Sequence, residues 1–146
     1  QKALDAGFQE IYSIEVSPEL VAQCRERFKD RPNVHIIQGD SSLVLFDVIK
    51  NLDAPITFWH DGHYSGPGTS KGTSMSPILR EIHAIKKHHI HAHTILIDDI
   101  RDLGTKNMDF VTRTTVIKKI LRINPRYTIR YEPGIIPNDV LVAVIK

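Results

Sequence analysis

The chain has 146 residues, of which 41% are hydrophobic and 25% charged, with a formal net charge of +2 and one cysteine. That is enough for one domain whose core needs no disulfide or structural metal. No apolar run approaches the roughly 20 residues that span a bilayer, so no membrane span is expected, and residues 1–7 lack the basic-then-apolar layout of a secretory signal, so secretion is unsupported and the cytoplasm is expected.

The predicted elements follow in chain order. Residues 11–16 read as a short buried strand. Ser17-Pro18-Glu19 then supplies a cap, a proline at the first helical position and an early acid, opening a helix to about residue 29. A break at Arg31-Pro32-Asn33 precedes a strand over 34–38, and Ser41 or Ser42 can cap a second helix ending near residue 52. Residues 56–59 form a third strand. The segment 60–74, with four glycines and several hydroxyls, is too long and polar for a simple connector and is expected to be a lid or substrate loop.

Pro77 then starts a helix with Ile78, Leu79, Ile82 and Ile85 at intervals of three and four, and residues 94–97 make a strand. His83, His88, His89, His91 and His93 superficially resemble a metal tract. They cluster around the C-terminus of that helix, where histidine suits the dipole, and no cysteines accompany them as zinc ligands. A helix over 110–121 and two strands, 126–131 and 140–145, joined by a Pro- and Asn-containing turn region, close the chain as an antiparallel pair. Lys and Arg residues from Arg113 to Arg130 lack the interleaved aromatics that stack bases, so nucleic acid is not an expected partner. The alternation of strands and helices predicts an α/β fold, a doubly wound and mainly parallel sheet with helices on both faces.

Four of these apolar runs end in carboxylates: Glu15, Asp40, Asp61, and the pair Asp98-Asp99. In an open α/β sheet the ligand crevice lies beyond the carboxyl ends of the strands, so these acids are expected to converge on one edge. Glu15 can accept from both hydroxyls of a nucleoside ribose, or simply end a strand. Asp40 can accept from an adenine amino group or cap the next helix. Asp61, Asp98 and Asp99 would repel one another unless a cation intervened, and a hard ion such as Mg²⁺ would meet that need. His60 and His63 flank Asp61, and either can serve as a base or an orienting donor near neutral pH.

Taken together these segments resemble the class I S-adenosylmethionine-dependent methyltransferases, in particular small O-methyltransferases of the macrocin type. Ile14-Glu15-Val-Ser-Pro-Glu19 resembles the second-strand motif that holds the cofactor ribose, and Gln38-Gly-Asp40-Ser41 the motif beside the adenine. Phe58-Trp-His-Asp61-Gly-His63-Tyr64 and Leu96-Ile-Asp98-Asp99 resemble the fourth and fifth strand ends. The resemblance implies a Rossmann-like fold and S-adenosylmethionine as cofactor, bound through Glu15, Asp40, Ser41 and Asp61. It implies methyl transfer to a hydroxyl of a small molecule, with Asp61 and His63 as catalytic residues. Asp61, Asp98 and Asp99 would hold Mg²⁺ in metal-assisted members.

The family begins with a strand and a glycine-rich loop of the form E/D-x-G-x-G-x-G, and this chain has no such segment. Residues 1–7 read as the tail of the helix after that loop. One truncated domain over 1–146 is therefore expected, its first strand missing from between the strands that end at Glu15 and Asp61, with the fragment itself inactive. A nicotinamide-dependent oxidoreductase is an alternative, since Glu15 would suit its ribose equally. A noncatalytic binding domain of the same fold is another. The expected partners are a small-molecule substrate and, at most, further copies of the chain.

Overall fold

The computed structural model describes residues 1–62 and 72–146. A single helical turn, α1 (Lys2–Asp5), leads into β1 (Ile11–Glu15), α2 (Pro18–Arg27), β2 (Val34–Gln38), α3 (Ser41–Ile49) and β3 (Thr57–His60). Next come α4 (Ile78–Lys87), β4 (Thr94–Ile97), two short 3-10 turns (Ile100–Asp102 and Lys106–Met108), α5 (Arg113–Leu121), β5 (Tyr127–Glu132) and β6 (Val140–Ile145). The lid expected over 60–74 falls largely on residues 63–71, outside those described.

The helix starts follow local chemistry. Ser17 accepts the Leu20 N–H ahead of Pro18, Asp40 accepts the Ser42 N–H, and Thr112 accepts the Thr115 N–H. That last cap explains why α5 begins at Arg113 rather than at residue 110: Asp109 and Phe110 both take positive φ, which ends a 3-10 turn and lets Thr112 cap the helix.

The strands form two groups. β1 pairs in parallel with β2, while β3, β4, β6 and β5 lie side by side in that order, β3 and β4 parallel and the last two junctions antiparallel. β1 and β3 are not paired with one another, and no strand lies between them among the described residues. Both groups share one core. Ile82 and Ile85 of α4, Ile95 of β4, Val116 and Ile120 of α5, and Leu141 of β6 are buried in it, with Ile14 of β1 packed against it. No described helix is long and apolar enough to cross a membrane.

The histidines after α4 are structural. The Ile56 N–H donates to Nδ1 of His93 at 3.1 Å, so in the neutral ring the proton sits on Nε2, which faces Nδ1 of His88 at 3.2 Å. His88 Nε2 in turn donates to the Leu52 carbonyl at 3.0 Å, and the His93 N–H donates to the Tyr127 hydroxyl. This chain of rings ties β3, β4 and β5 together at the edge opposite the acids. Burial, and next the His88 ring, push the His93 imidazole down to about 4 from an ordinary 6.5. Between those two values the unfolded chain takes up a proton that the folded chain refuses. This histidine's contribution is therefore complete above pH 6.5, declines by at most about 1.4 kcal/mol per unit as pH falls to about 4, and levels off below. Denaturant titrations of the wild type and His93→Gln between pH 7.5 and 4 are expected to converge as the pH drops; parallel curves would show that His93 does not drive the loss.

Candidate functional site

Strand register fixes where the acids stand. Glu15 pairs with Gln38 and His60 with Ile97, so the chain leaves β1, β2, β3 and β4 at one edge of the sheets with Glu15, Asp40, Asp61 and Asp98 as or just beyond the last strand residues.

Glu15 is half-buried, and its Oε1 accepts the Ser17 N–H at 2.8 Å. One oxygen is thereby fixed by the start of α2, and Oε2 makes no hydrogen bond among the described residues. That arrangement fits a ribose diol, with Oε1 as the anchor and Oε2 free to accept.

Asp40 is used differently. Its Oδ1 accepts the Ser42 N–H at 2.9 Å, and its Oδ2 accepts the Thr73 N–H at 2.6 Å, so it both caps α3 and anchors the chain on the far side of the loop. Burial pushes its carboxyl up, but the bonds from Ser42 and Thr73 outweigh this and leave it below the usual range. The packing is close enough that a side chain at Gly72 would collide with this carboxylate. The Ser41 hydroxyl lies near Glu81 of α4 and helps hold its carboxyl down. Asp40 and Ser41 thus shape the edge on which a ligand would rest.

Asp61 and Asp98 both line a crevice whose walls include His60, Ser76 and Glu81 on the polar side and Ile97, Leu103 and Met108 on the apolar side. Its back is a buried pair: His60 Nδ1 lies 2.8 Å from Glu81 Oε2, with each side chain 6% exposed. Burial raises the Glu81 carboxyl, yet the His60 ring and the Ser41 hydroxyl more than compensate, so its net displacement is downward and it is held ionised. Glu81 was not anticipated from the sequence. The available signal was an acid set into the apolar stripe of Ile78, Ile82 and Ile85, on the face of α4 that must be buried. His63 lies outside the described residues.

The acid cluster takes a different membership from the expected one. Carboxylate oxygens of Asp98, Asp99 and Asp139 come within 4.8 Å of one another, and Asp61 does not join them. Asp139 is completely buried. Arg101 bonds to it through Nη1 and also reaches Asp99 Oδ1 at 2.6 Å. The Asp98 carboxylate accepts the N–H of Asp99, a residue in the left-handed region with φ 53°. The positive charge the cluster requires is therefore already present as a guanidinium. This donor set does not fit Mg²⁺, because an ion bridging Asp99 and Asp139 would have to displace Arg101. The sequence does not point to Asp139, because it comes from the turn before β6, which only the antiparallel fold brings alongside β4.

No family model matches the sequence, and no curated protein is significantly similar to it. Solved structures do share its fold. A methyltransferase of Podospora anserina, determined with SAH bound, matches with a TM-score of 0.57 at 18% identity, over 94% of this chain and 61% of that one. A protein of Staphylococcus aureus assigned as a caffeoyl-CoA O-methyltransferase matches at 0.55 with 13% identity, over 94% of this chain and 65% of its own. The N-methyltransferase NodS of Bradyrhizobium japonicum matches at 0.52 with 12% identity, over 94% of this chain and 74% of that one. The chain thus spans less than two thirds of the first two structures. Over the lengths matched, the chain shares the fold of these methyltransferases, a mostly parallel sheet with an antiparallel strand pair.

Proposed function

We propose that the protein to which this chain belongs transfers a methyl group from S-adenosylmethionine to a hydroxyl of a small molecule. The observation that carries this reading is Glu15: a carboxylate anchored by the first turn of α2, with its second oxygen unbonded among the described residues, at the end of β1 in a methyltransferase fold. When bound, the cofactor supplies an electrophilic methyl group. The chain's own residues then have mainly to align and deprotonate the acceptor. Glu15 would hold the ribose hydroxyls, and Asp40 would fix the neighbouring strand end through its two backbone bonds. Asp61 would accept the hydrogen bond of the acceptor hydroxyl, while Ile97, Leu103 and Met108 exclude water from one wall. No metal has a part in this reading.

The edges of β1 and β3 that stay unpaired among the described residues support a further element of it. Unpaired strand edges expose rows of backbone donors and acceptors that proteins normally cover. A parallel strand between them, contributed from outside residues 1–146, would join the two groups into one sheet and carry backbone to the cofactor's amino-acid end.

Calorimetry with S-adenosylhomocysteine on the full-length protein and on residues 1–146 tests both points. Binding is expected in the full-length protein and to be weak or absent in the shorter chain. Glu15→Ala in the full-length protein should weaken binding by about 10-fold to 100-fold, since each charged hydrogen bond contributes about 1.5–3 kcal/mol. Equal affinity in the variant would remove the ribose role; retention of NADH instead would transfer the reading to nicotinamide chemistry.

A further inference from the structure

Helix α4 begins without a cap of its own. Its N-cap residue is Pro77, whose side chain accepts no hydrogen bond, so nothing local fastens the chain where it enters the helix. Asp109 does so from far along the sequence. Its Oδ2 accepts the Met75 N–H at 2.9 Å and the Ser76 N–H at 3.1 Å, the latter across 33 positions.

Asp109 is exposed, yet its backbone is held in place. It and Phe110 take φ of 48° and 57°, a region that aspartate tolerates better than most residues and a bulky side chain poorly. Three backbone bonds close the turn that enforces this. Gly104 N–H donates to the Val111 carbonyl at 2.8 Å, Phe110 N–H to Thr105 at 2.8 Å and Val111 N–H to Met108 at 2.9 Å. The same turn buries Met108, which is 4% exposed.

Both partners of this link belong to the crevice. Ser76 and Pro77 line it on the one, and Met108, the residue before Asp109, lines it on the other. A second anchor acts on the same stretch but elsewhere: the Thr73 N–H donates to Asp40 Oδ2 at 2.6 Å, and its hydroxyl lies 3.3 Å from that of Ser42. Residues 73–76 are therefore held at one end by the acid that follows β2 and at the other by Asp109.

We propose that Asp109 is a positioning residue for the acceptor: by holding Ser76 to the turn that carries Met108, it sets the gap in which the acceptor's body lies. This rests on the methyl-transfer reading. The walls are in place before and during transfer, so they bind ground state and transition state alike, and their loss raises KM rather than lowering kcat. The cofactor edge at Glu15 does not depend on the link.

Methionine methyl NMR and amide hydrogen exchange of the full-length protein are the first test, Met75 and Met108 being the only methionines of residues 1–146. Asp109→Ala should shift both methyl signals and speed exchange of the Met75 and Ser76 amides by about 10-fold or more, leaving the Thr73 amide, held by Asp40, unchanged. Unchanged exchange at 75 and 76 would overturn the proposal. With catechol as the hydroxyl probe and S-adenosylmethionine as donor, Asp109→Ala should raise KM for catechol by about 10-fold, with kcat and S-adenosylhomocysteine affinity unchanged. Asp109→Asn, which keeps an acceptor oxygen, should restore most of that loss. A fall in kcat at unchanged KM would overturn the proposal, as would a loss of cofactor affinity. Failure of the wild type to bind S-adenosylhomocysteine would instead defeat the methyl-transfer reading. Catechol titration would then decide the role of Asp109: a Met108 methyl that moves in the wild type but not in Asp109→Ala upholds it, and one that moves equally in both overturns it.

Discussion

Arg101→Leu is expected to lower the melting temperature by about 10 °C, an unusually large loss for a side chain that is 30% exposed. The reason is Asp139, which has no exposure at all and depends on Arg101 for its counter-charge. Removing one member of such a pair leaves a buried carboxylate with no other cation bonded to it among the described residues, and this is more destabilising than losing an exposed ion pair. The same change tests the arginine assignment against a metal. If the guanidinium is the native cation, Mg²⁺ should not restore stability to the variant and a chelator should leave the wild type unaffected. Thermal scans with Mg²⁺ and with EDTA check both expectations; recovery of the variant in Mg²⁺ would show that the acids hold a metal after all. The double variant Arg101→Leu, Asp139→Leu should regain much of the loss, because the uncompensated charge goes with the aspartate.

Asp61→Ala is expected to lower turnover of the full-length protein by about 100-fold to 10,000-fold, with S-adenosylhomocysteine affinity nearly unchanged. Asp61 directly follows the strand that ends in His60 and lines the same crevice, so its removal should cost alignment of the acceptor more than cofactor binding. Asp61→Asn keeps the size and one acceptor oxygen, and should therefore retain more activity than Asp61→Ala. Methylation of catechol, measured beside calorimetry, separates the two effects. Full turnover in Asp61→Ala would remove this residue from the reaction, and a parallel fall in affinity would reassign it to the cofactor.

The sequence by itself determined the fold class and the edge at which the strand-ending acids lie. Ser17-Pro18, Asp40 and Pro77 mark helix starts, and strand-ending acids mark the carboxyl edge, because capping and strand periodicity depend on residues a few positions apart. The positions of Glu15 and Asp61 at the strand ends were legible for that reason. What only the tertiary structure decided are the partners that meet across long stretches of chain. Asp139 reaches Arg101 from 38 positions away, and Glu81 reaches His60 from 21. The fate of Asp40 belongs there too, since one of its oxygens is taken by Thr73, 33 residues on. Whether a carboxylate binds a metal, a guanidinium, an imidazole or a backbone N–H depends on which cation or donor lies within about 3 Å, and that distance is set by the packing of β6 and α4 on the sheet.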